Sequence, residues 1–176
     1  MKTILIGAIA IYRSAIENPQ SIIETIETSH NSLWVNSLVY GHNEGSDFRT
    51  SSEILNLPND IHDKLDVDFR KTVSDYVCRF NAPIISHSSA YVLLKYEVGQ
   101  EFQSHNDDSQ QTPRRVSAVG FLNDDYRGGQ LSFDLMNFTY EPVAGDIVVF
   151  PSNFPYMHGS RPVIEGTKYS VVSWWK

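Results

Sequence analysis

The sequence predicts an α+β chain in which two helices cover one outer face of a two-sheet core of sandwich or jelly-roll type. Three observations predict it. Helical hydrophobic spacing is confined to the first half, short β-rich runs separated by turn residues fill the chain from Ser88 onward, and 41% of the 176 residues are hydrophobic, enough for one core. A single domain over 1–176 is therefore expected, with 1–87 supplying flanking strands and helices and 88–176 the jelly-roll core.

The elements follow in order. Ile4, Ile6, Ala8 and Ala10 alternate as a first strand would. The same apolar run after Lys2 is like the opening of a secretory signal peptide, but Arg13 follows at once and a clean small-x-small cleavage site is lacking. A first helix begins at Asn18-Pro19, where Asn can cap and Pro suits the first helical position, and Ile22, Ile23 and Ile26 mark its buried side. Leu33 to Val39 and Arg49 to Ile54 read as strands around a loop at Tyr40 to Asp47. After Asn59-Asp60, the residues Ile61, Leu65, Phe69, Val73, Val77 and Phe80 form the apolar stripe of a longer helix. The β-rich runs are Ser89 to Tyr96, Glu101 to Asp107, Val116 to Leu122, Gln130 to Leu135, Asp146 to Phe150 and Lys168 to Trp175. Trp174 and Trp175 end the last run, and as strand neighbours they face opposite ways.

Composition excludes several classes. Lys plus Arg number 14 against 21 Asp plus Glu, a net charge of −7 with no basic stripe, so nucleic acid is not an expected partner. No apolar stretch after the N-terminal run reaches the ~18 residues of a membrane span, so no membrane partner is expected either. The lone cysteine, Cys78, makes neither an internal disulfide nor a Cys-rich zinc site, and a cytoplasmic location is expected.

The chemistry-bearing residues centre on Tyr96-Glu97-Val98-Gly99-Gln100-Glu101-Phe102-Gln103-Ser104-His105-Asn106-Asp107. On a strand, residues i and i+2 share a face, so His105 and Asp107 can point into one cavity. An imidazole and a carboxylate so placed are two of the three ligands of a 2-His-1-carboxylate facial triad, and His158, after the apolar strand ending at Phe150, is the candidate third. His30, His42, His62 and His87 have no partner at ligand spacing.

A His-x-Asp triplet is common, and its surroundings carry more weight. They read Tyr96-x-x-Gly99-x-x-Phe102-x-x-His105-x-Asp107, then Arg114-x-x-Ser117, Phe121-Leu122-Asn123, Gly128-Gly129, Phe133, Pro142-x-x-Gly145-Asp146, Phe150-Pro151, His158, Pro162-Val163 and Gly166-x-Lys168, preceded by Arg49-Thr50-Ser51. From Arg49 to the C-terminus this ordered series resembles the iron(II)- and 2-oxoglutarate-dependent oxygenases, specifically the prolyl 4-hydroxylase-like group.

The resemblance implies a double-stranded β-helix of jelly-roll, cupin-like type with N-terminal flanking helices. It implies a dioxygenase that uses Fe(II), O2 and 2-oxoglutarate, with ascorbate as a candidate accessory, and hydroxylates a prolyl residue while releasing succinate and CO2. It assigns His105, Asp107 and His158 to the metal, and Tyr96 and Lys168 to 2-oxoglutarate, Lys168 pairing with the distal carboxylate. Ser170, on the same strand face as Lys168, is a further donor to that acid. Arg114 and Arg161 are the candidates at the substrate mouth, and the Tyr40 to Asp47 loop and Asp108 to Pro113 its rims. One departure stands out: the family commonly has Tyr-Leu-Asn where this chain has Phe121-Leu122-Asn123, so a phenol able to contact 2-oxoglutarate is missing. A free amino acid, another small molecule or nucleic acid stays open as substrate. Outside the superfamily, a zinc hydrolase on the same three ligands and a non-catalytic jelly-roll module are the rivals. Asp124-Asp125 with Gly128-Gly129 reads as a turn rather than a second metal site.

Overall fold

Alternation along two long strands organises the molecule. In Lys168–Trp175, residues Lys168, Ser170, Val172 and Trp174 face an internal cavity, whereas Tyr169, Val171 and Trp175 pack toward the helices. In Val116–Phe121, Ser117, Val119 and Phe121 point inward, whereas Val116 and Ala118 join the helix-side core. Each strand thus serves two cores at once, which explains why both read as nearly continuous buried runs.

The computed structural model describes residues 2–37, 48–82 and 91–176. Its strands are β1 (Lys2–Ile6), β2 (Ile9–Arg13), β3 (Val35–Asn36), β4 (Ser52–Ile54), β5 (Val92–Tyr96), β6 (Phe102–His105), β7 (Val116–Phe121), β8 (Arg127–Gly128), β9 (Leu131–Phe133), β10 (Phe138–Tyr140), β11 (Ile147–Pro151), β12 (His158–Ser160), β13 (Val163–Glu165) and β14 (Lys168–Trp175), with helices α1 (Pro19–Ser29) and α2 (Asn59–Phe80). Eight strands form a major sheet in the order β1-β2-β11-β7-β14-β5-β4-β3, four form a minor sheet in the order β10-β9-β12-β6, and β13 and β8 pair separately. This is a jelly roll, α+β overall, with both helices on the outer face of the major sheet.

Helix α2 lays Ile61, Leu65, Phe69 and Val73 on that face. The approach is close because β7 carries Gly120 opposite the helix: a Cβ there would stand 2.7 Å from Ile16 Cδ1 and 2.9 Å from Phe69 Cζ. Helix α1 buries Ile22, Ile23 and Ile26 beside it. Glu27 of α1 accepts hydrogen bonds from Trp34 Nε1, Lys95 Nζ and Tyr169 Oη, tying the helix to β5 and β14. The buried Asp146 does the same for the N-terminal hairpin, accepting from the Ser14 backbone N–H at 2.8 Å, from Arg13 Nε at 3.1 Å and from the Tyr140 hydroxyl.

Several elements differ from the sequence reading. The N-terminal run is two antiparallel strands folded at Gly7-Ala8, with Lys2 opposite Arg13, rather than one strand. Asn18 takes a left-handed conformation and makes no side-chain cap; the first turn of α1 is closed by Ser21, whose hydroxyl donates to the Asn18 carbonyl. Strand β6 ends at His105, so Asp107 lies in the following loop. β8, β10, β12 and β13 are additional short strands. The loop at Tyr40 to Asp47, the end of the strand assigned to Val39, His42, His87 and the start of the run at Ser89 lie outside the described residues. Among the described residues, no helix is long and apolar enough to cross a membrane.

Candidate metal centre and cosubstrate cavity

The minor sheet brings the two histidines together. β12 runs antiparallel to β6 with His158 directly opposite His105, ring centroids 4.5 Å apart. The next residue, Gly159, makes this pairing possible, since a Cβ on it would meet the Phe102 carbonyl oxygen at 2.6 Å. His105 Nδ1 lies 2.8 Å from the Gln103 carbonyl oxygen and His158 Nδ1 lies 3.1 Å from that of Tyr156. A carbonyl only accepts, so each Nδ1 carries the proton and each Nε2 is left to face the third member of the cluster.

That member is Asp107, whose Oδ1 is 3.5 Å from His105 Nε2 and whose Oδ2 is 3.3 Å from His158 Nε2. One ligand atom from each of the three lies within 4.8 Å of the others, the one such cluster among the described residues. Burial opposes ionisation of Asp107, but attraction to the His158 and His105 rings in their cationic form outweighs it and holds the carboxyl well below its ordinary range. His105 is lowered by burial, against the pull of Asp107. Two imidazole lone pairs converging on a buried carboxylate call for a cation, and the N,N,O donor set fits a divalent first-row metal with sites left open.

A cavity of about 60 Å³ extends from this cluster between the sheets. Tyr96, Phe121, Ser160, Lys168 and Ser170 line it, as do Arg49, Phe102 and Trp174. Lys168 is 2% exposed, and its Nζ donates to the Gly129 carbonyl at 2.7 Å and to Ser160 Oγ at 2.8 Å. Its ammonium stands 5.0 Å from the Tyr96 ring centroid and 5.6 Å from that of Phe121. Two of its three protons are committed, so one donor remains for a ligand. Burial lowers its pKa to about 7, opposed by Glu141. Phe121, where a tyrosine was the family expectation, presents a ring face to the ammonium and no hydroxyl. Ser170 is buried, on the cavity wall, and directly opposite Phe121 in the β14–β7 register.

The two arginines part company. Arg114 lies beside the metal cluster, its guanidinium 3.6 Å from the Trp174 ring centroid and Nη1 3.7 Å from Asp107 Oδ1. Arg161 is not brought to the cavity: it is exposed and pairs with Asp134 at 2.7 Å. β12 has ended at Ser160, and the backbone N–H of Arg161 donates to Gln130, turning the side chain outward. Asp125 accepts from Asn123 and Asp124 from the Ala144 N–H, as turn residues do. Sequence reasoning passed over Ser117, Ser152, Ser160 and Trp174 as site residues. Only strand parity could have flagged Ser117, Ser160 and Trp174, and nothing in the sequence flags Ser152. It also gave no role to Arg49, which lines the cavity, pairs with Glu53 at 3.0 Å and stands 4.9 Å from the Phe102 ring centroid.

Fold and site together define a jelly-roll protein of the 2-His-1-carboxylate class. Residues 91–176 match the model of the 2OG-Fe(II) oxygenase superfamily. A probable prolyl 4-hydroxylase of Arabidopsis thaliana is 30% identical over an alignment covering 51% of this chain and 41% of that protein. A PKHD-type hydroxylase of Synechococcus is 31% identical over 52% and 43%. The chain thus spans less than half the length of these curated relatives. Among solved structures, a Pseudomonas putida prolyl-4-hydroxylase aligns with a TM-score of 0.74 at 19% identity, covering 96% of this chain and 91% of that one. The viral collagen prolyl hydroxylase of Paramecium Bursaria Chlorella virus-1 aligns at 0.72 and 15%, covering 96% and 95%. At these identities the likeness establishes the fold.

Proposed function

We propose that this chain is an Fe(II)- and 2-oxoglutarate-dependent dioxygenase that hydroxylates a prolyl residue of a peptide or protein. The observation that carries it is the convergence of His105, Asp107 and His158 beside a cavity floored by a buried ammonium. In this reading the three residues hold Fe(II), and the iron with O2 and 2-oxoglutarate supplies the oxidising chemistry, with succinate and CO2 released. The remaining work falls to this chain's own side chains. Lys168 pairs with the distal carboxylate of 2-oxoglutarate, Ser170 offers that acid a hydroxyl, and the Tyr96 ring packs against the acid's methylenes. Leu94, Val119, Phe121 and Leu131 exclude water around it. Arg114, stacked on Trp174, meets the substrate. Arg161, being turned away, takes no part. A prolyl substrate is supported by the names of the relatives, and one structural neighbour, at a TM-score of 0.78, is a Trichoplax adhaerens prolyl hydroxylase in complex with a peptide fragment.

We read residues 1–176 as one oxygenase domain, since β1 to β4 of the first half join the same sheet as β5, β7, β11 and β14. A cytoplasmic site of action accords with Cys78, an exposed free thiol. A zinc hydrolase on the same ligands would leave Lys168 without a role.

The test is succinate formation from 2-oxoglutarate by anaerobically Fe(II)-loaded protein on exposure to O2, with a proline-containing peptide and with Asp107→Ala as control. Iron- and Asp107-dependent succinate, with a peptide product heavier by one oxygen, is the expected result. Succinate equal in wild type and Asp107→Ala sinks the dioxygenase. Succinate with no peptide tested gaining oxygen removes the prolyl assignment.

A further inference from the structure

We infer that Ser117, backed by Ser152, is the positioning residue of the metal centre, the group that fixes the Asp107 carboxylate for its cation. The inference rests on reading His105, Asp107 and His158 as metal ligands.

Asp107 is the one member of the triad that no strand holds, since β6 has ended two residues before it. Its place is fixed from the end of β11 instead. The backbone N–H groups of Asp107 and Asp108 both donate to the Ser152 carbonyl at 3.1 Å. The side chain is held by Ser117, whose Oγ lies 2.6 Å from Asp107 Oδ2, and Ser117 Oγ in turn lies 2.8 Å from Ser152 Oγ. Both serines are buried, 1% and 0% exposed.

The proton count gives this chain a direction. An ionised carboxylate is acceptor only, so the single Ser117 hydroxyl proton goes to Asp107. Ser117 can then only accept from Ser152, and the relay runs Ser152 to Ser117 to Asp107. Such a series polarises each hydroxyl in turn, which strengthens the last bond in a dry site.

The geometry also shows what the relay works against. Arg114 Nη1 lies 3.7 Å from Oδ1, on the other side of the carboxylate from Ser117. With Oδ2 anchored by Ser117, the carboxylate keeps its two oxygens toward His158 and His105. Without that anchor the group is free to turn about its Cβ–Cγ bond and settle on the guanidinium, a cation already in place.

The test titrates metal-free protein with Mn(II), reading free ion by electron paramagnetic resonance, in wild type, Asp107→Ala, Ser117→Ala, Ser117→Thr and Ser117→Val. Threonine and valine have one shape and differ in the hydroxyl alone. Outer-sphere partners of metal ligands typically set about 10–100-fold in affinity, and that loss is expected in the alanine and valine variants, with threonine within about threefold of wild type. The d–d absorption of Co(II)-loaded protein should shift with alanine and valine and not with threonine, a signature that loss of packing alone does not give. Alanine binding Mn(II) as tightly as wild type overturns the proposal, as does threonine losing as much as valine. A wild type without an Asp107-dependent Mn(II) site overturns the metal reading itself, and the role of Ser117 with it.

Discussion

Two buried carboxylates, Asp146 beside Phe121 and Asp107 beside Ser117, lie near the two ends of β7 and have opposite surroundings. Asp146 is 0% exposed, and its oxygens are met by protein donors alone: a backbone N–H, an arginine and a phenol. Asp107 is 9% exposed and has Ser117 as a firm donor, while both of its oxygens face histidine nitrogens whose protons are committed elsewhere. The first carboxylate is satisfied and holds the N-terminal hairpin against the sheet. The second is held in place yet unsatisfied, and in the proposed reading that residual demand is what recruits the metal. Burial of an acid by itself therefore marks nothing; the identity of the groups facing its lone pairs does.

The contrast breaks most sharply when each acid is removed. Asp107→Ala should abolish iron binding and iron-dependent succinate formation, with a melting temperature in the metal-free state close to wild type. Asp146→Ala should cost about 3 kcal/mol of stability, since it strands buried donors, and a fall of roughly 6–12 °C in a thermal melt reads it out. Folded Asp146→Ala should still bind Mn(II) as wild type does. Equal destabilisation by both substitutions would erase the distinction.

Lys168 sharpens the comparison as a buried cation with no acid at its head among the described residues. Lys168→Ala should weaken 2-oxoglutarate binding about 100-fold, the value of one charged pair in a dry site. Its pKa of about 7 in the free protein makes binding pH-dependent. Below pH 7 the ammonium is preformed; above it, binding the dianion must take up a proton, so affinity falls as pH rises, and calorimetry in buffers of differing ionisation heat detects the uptake. The sign for folding is opposite. A lysine lowered in the native state leaves the unfolded chain holding more protons between about pH 7 and its ordinary value of 10.5, so this group's penalty on the free protein shrinks as pH climbs through that window.

Smaller effects follow. Phe121→Tyr restores the hydroxyl expected beside Lys168 and should hold or tighten 2-oxoglutarate binding, by up to about tenfold for one added hydrogen bond to a charge; a severe loss by calorimetry would contradict the placement of the acid. Arg161→Ala, on an exposed ion pair, should leave turnover within about twofold and stability within about 1 kcal/mol.

The long strands were legible because β11 and β14 are rich in β-branched and aromatic residues and β7 alternates Val and Phe with small residues. The histidines and Asp107 were legible from spacing, although the reason given, a shared strand face, does not describe Asp107. β8, β12 and β13 are two or three residues long and contain Gly, Ser or Glu, so locally they cannot be told from turns; only their partners make them strands. The β1–β2 turn is Gly7-Ala8, apolar on both sides, and hides inside a continuous run. Arg161 misled because nearness to His158 in the chain says nothing of direction once a strand has ended.

Ser152 has one more consequence. Its carbonyl pins the chain at Asp107 and Asp108, and its own N–H donates to the Arg115 carbonyl, so one residue fastens both ends of the segment between them. What lies between is a cassette in a socket. Its length and chemistry can drift from one descendant of this chain to another while the ligand beside it stays where it is, and a scaffold of this kind can change its clientele without relearning how to hold a metal.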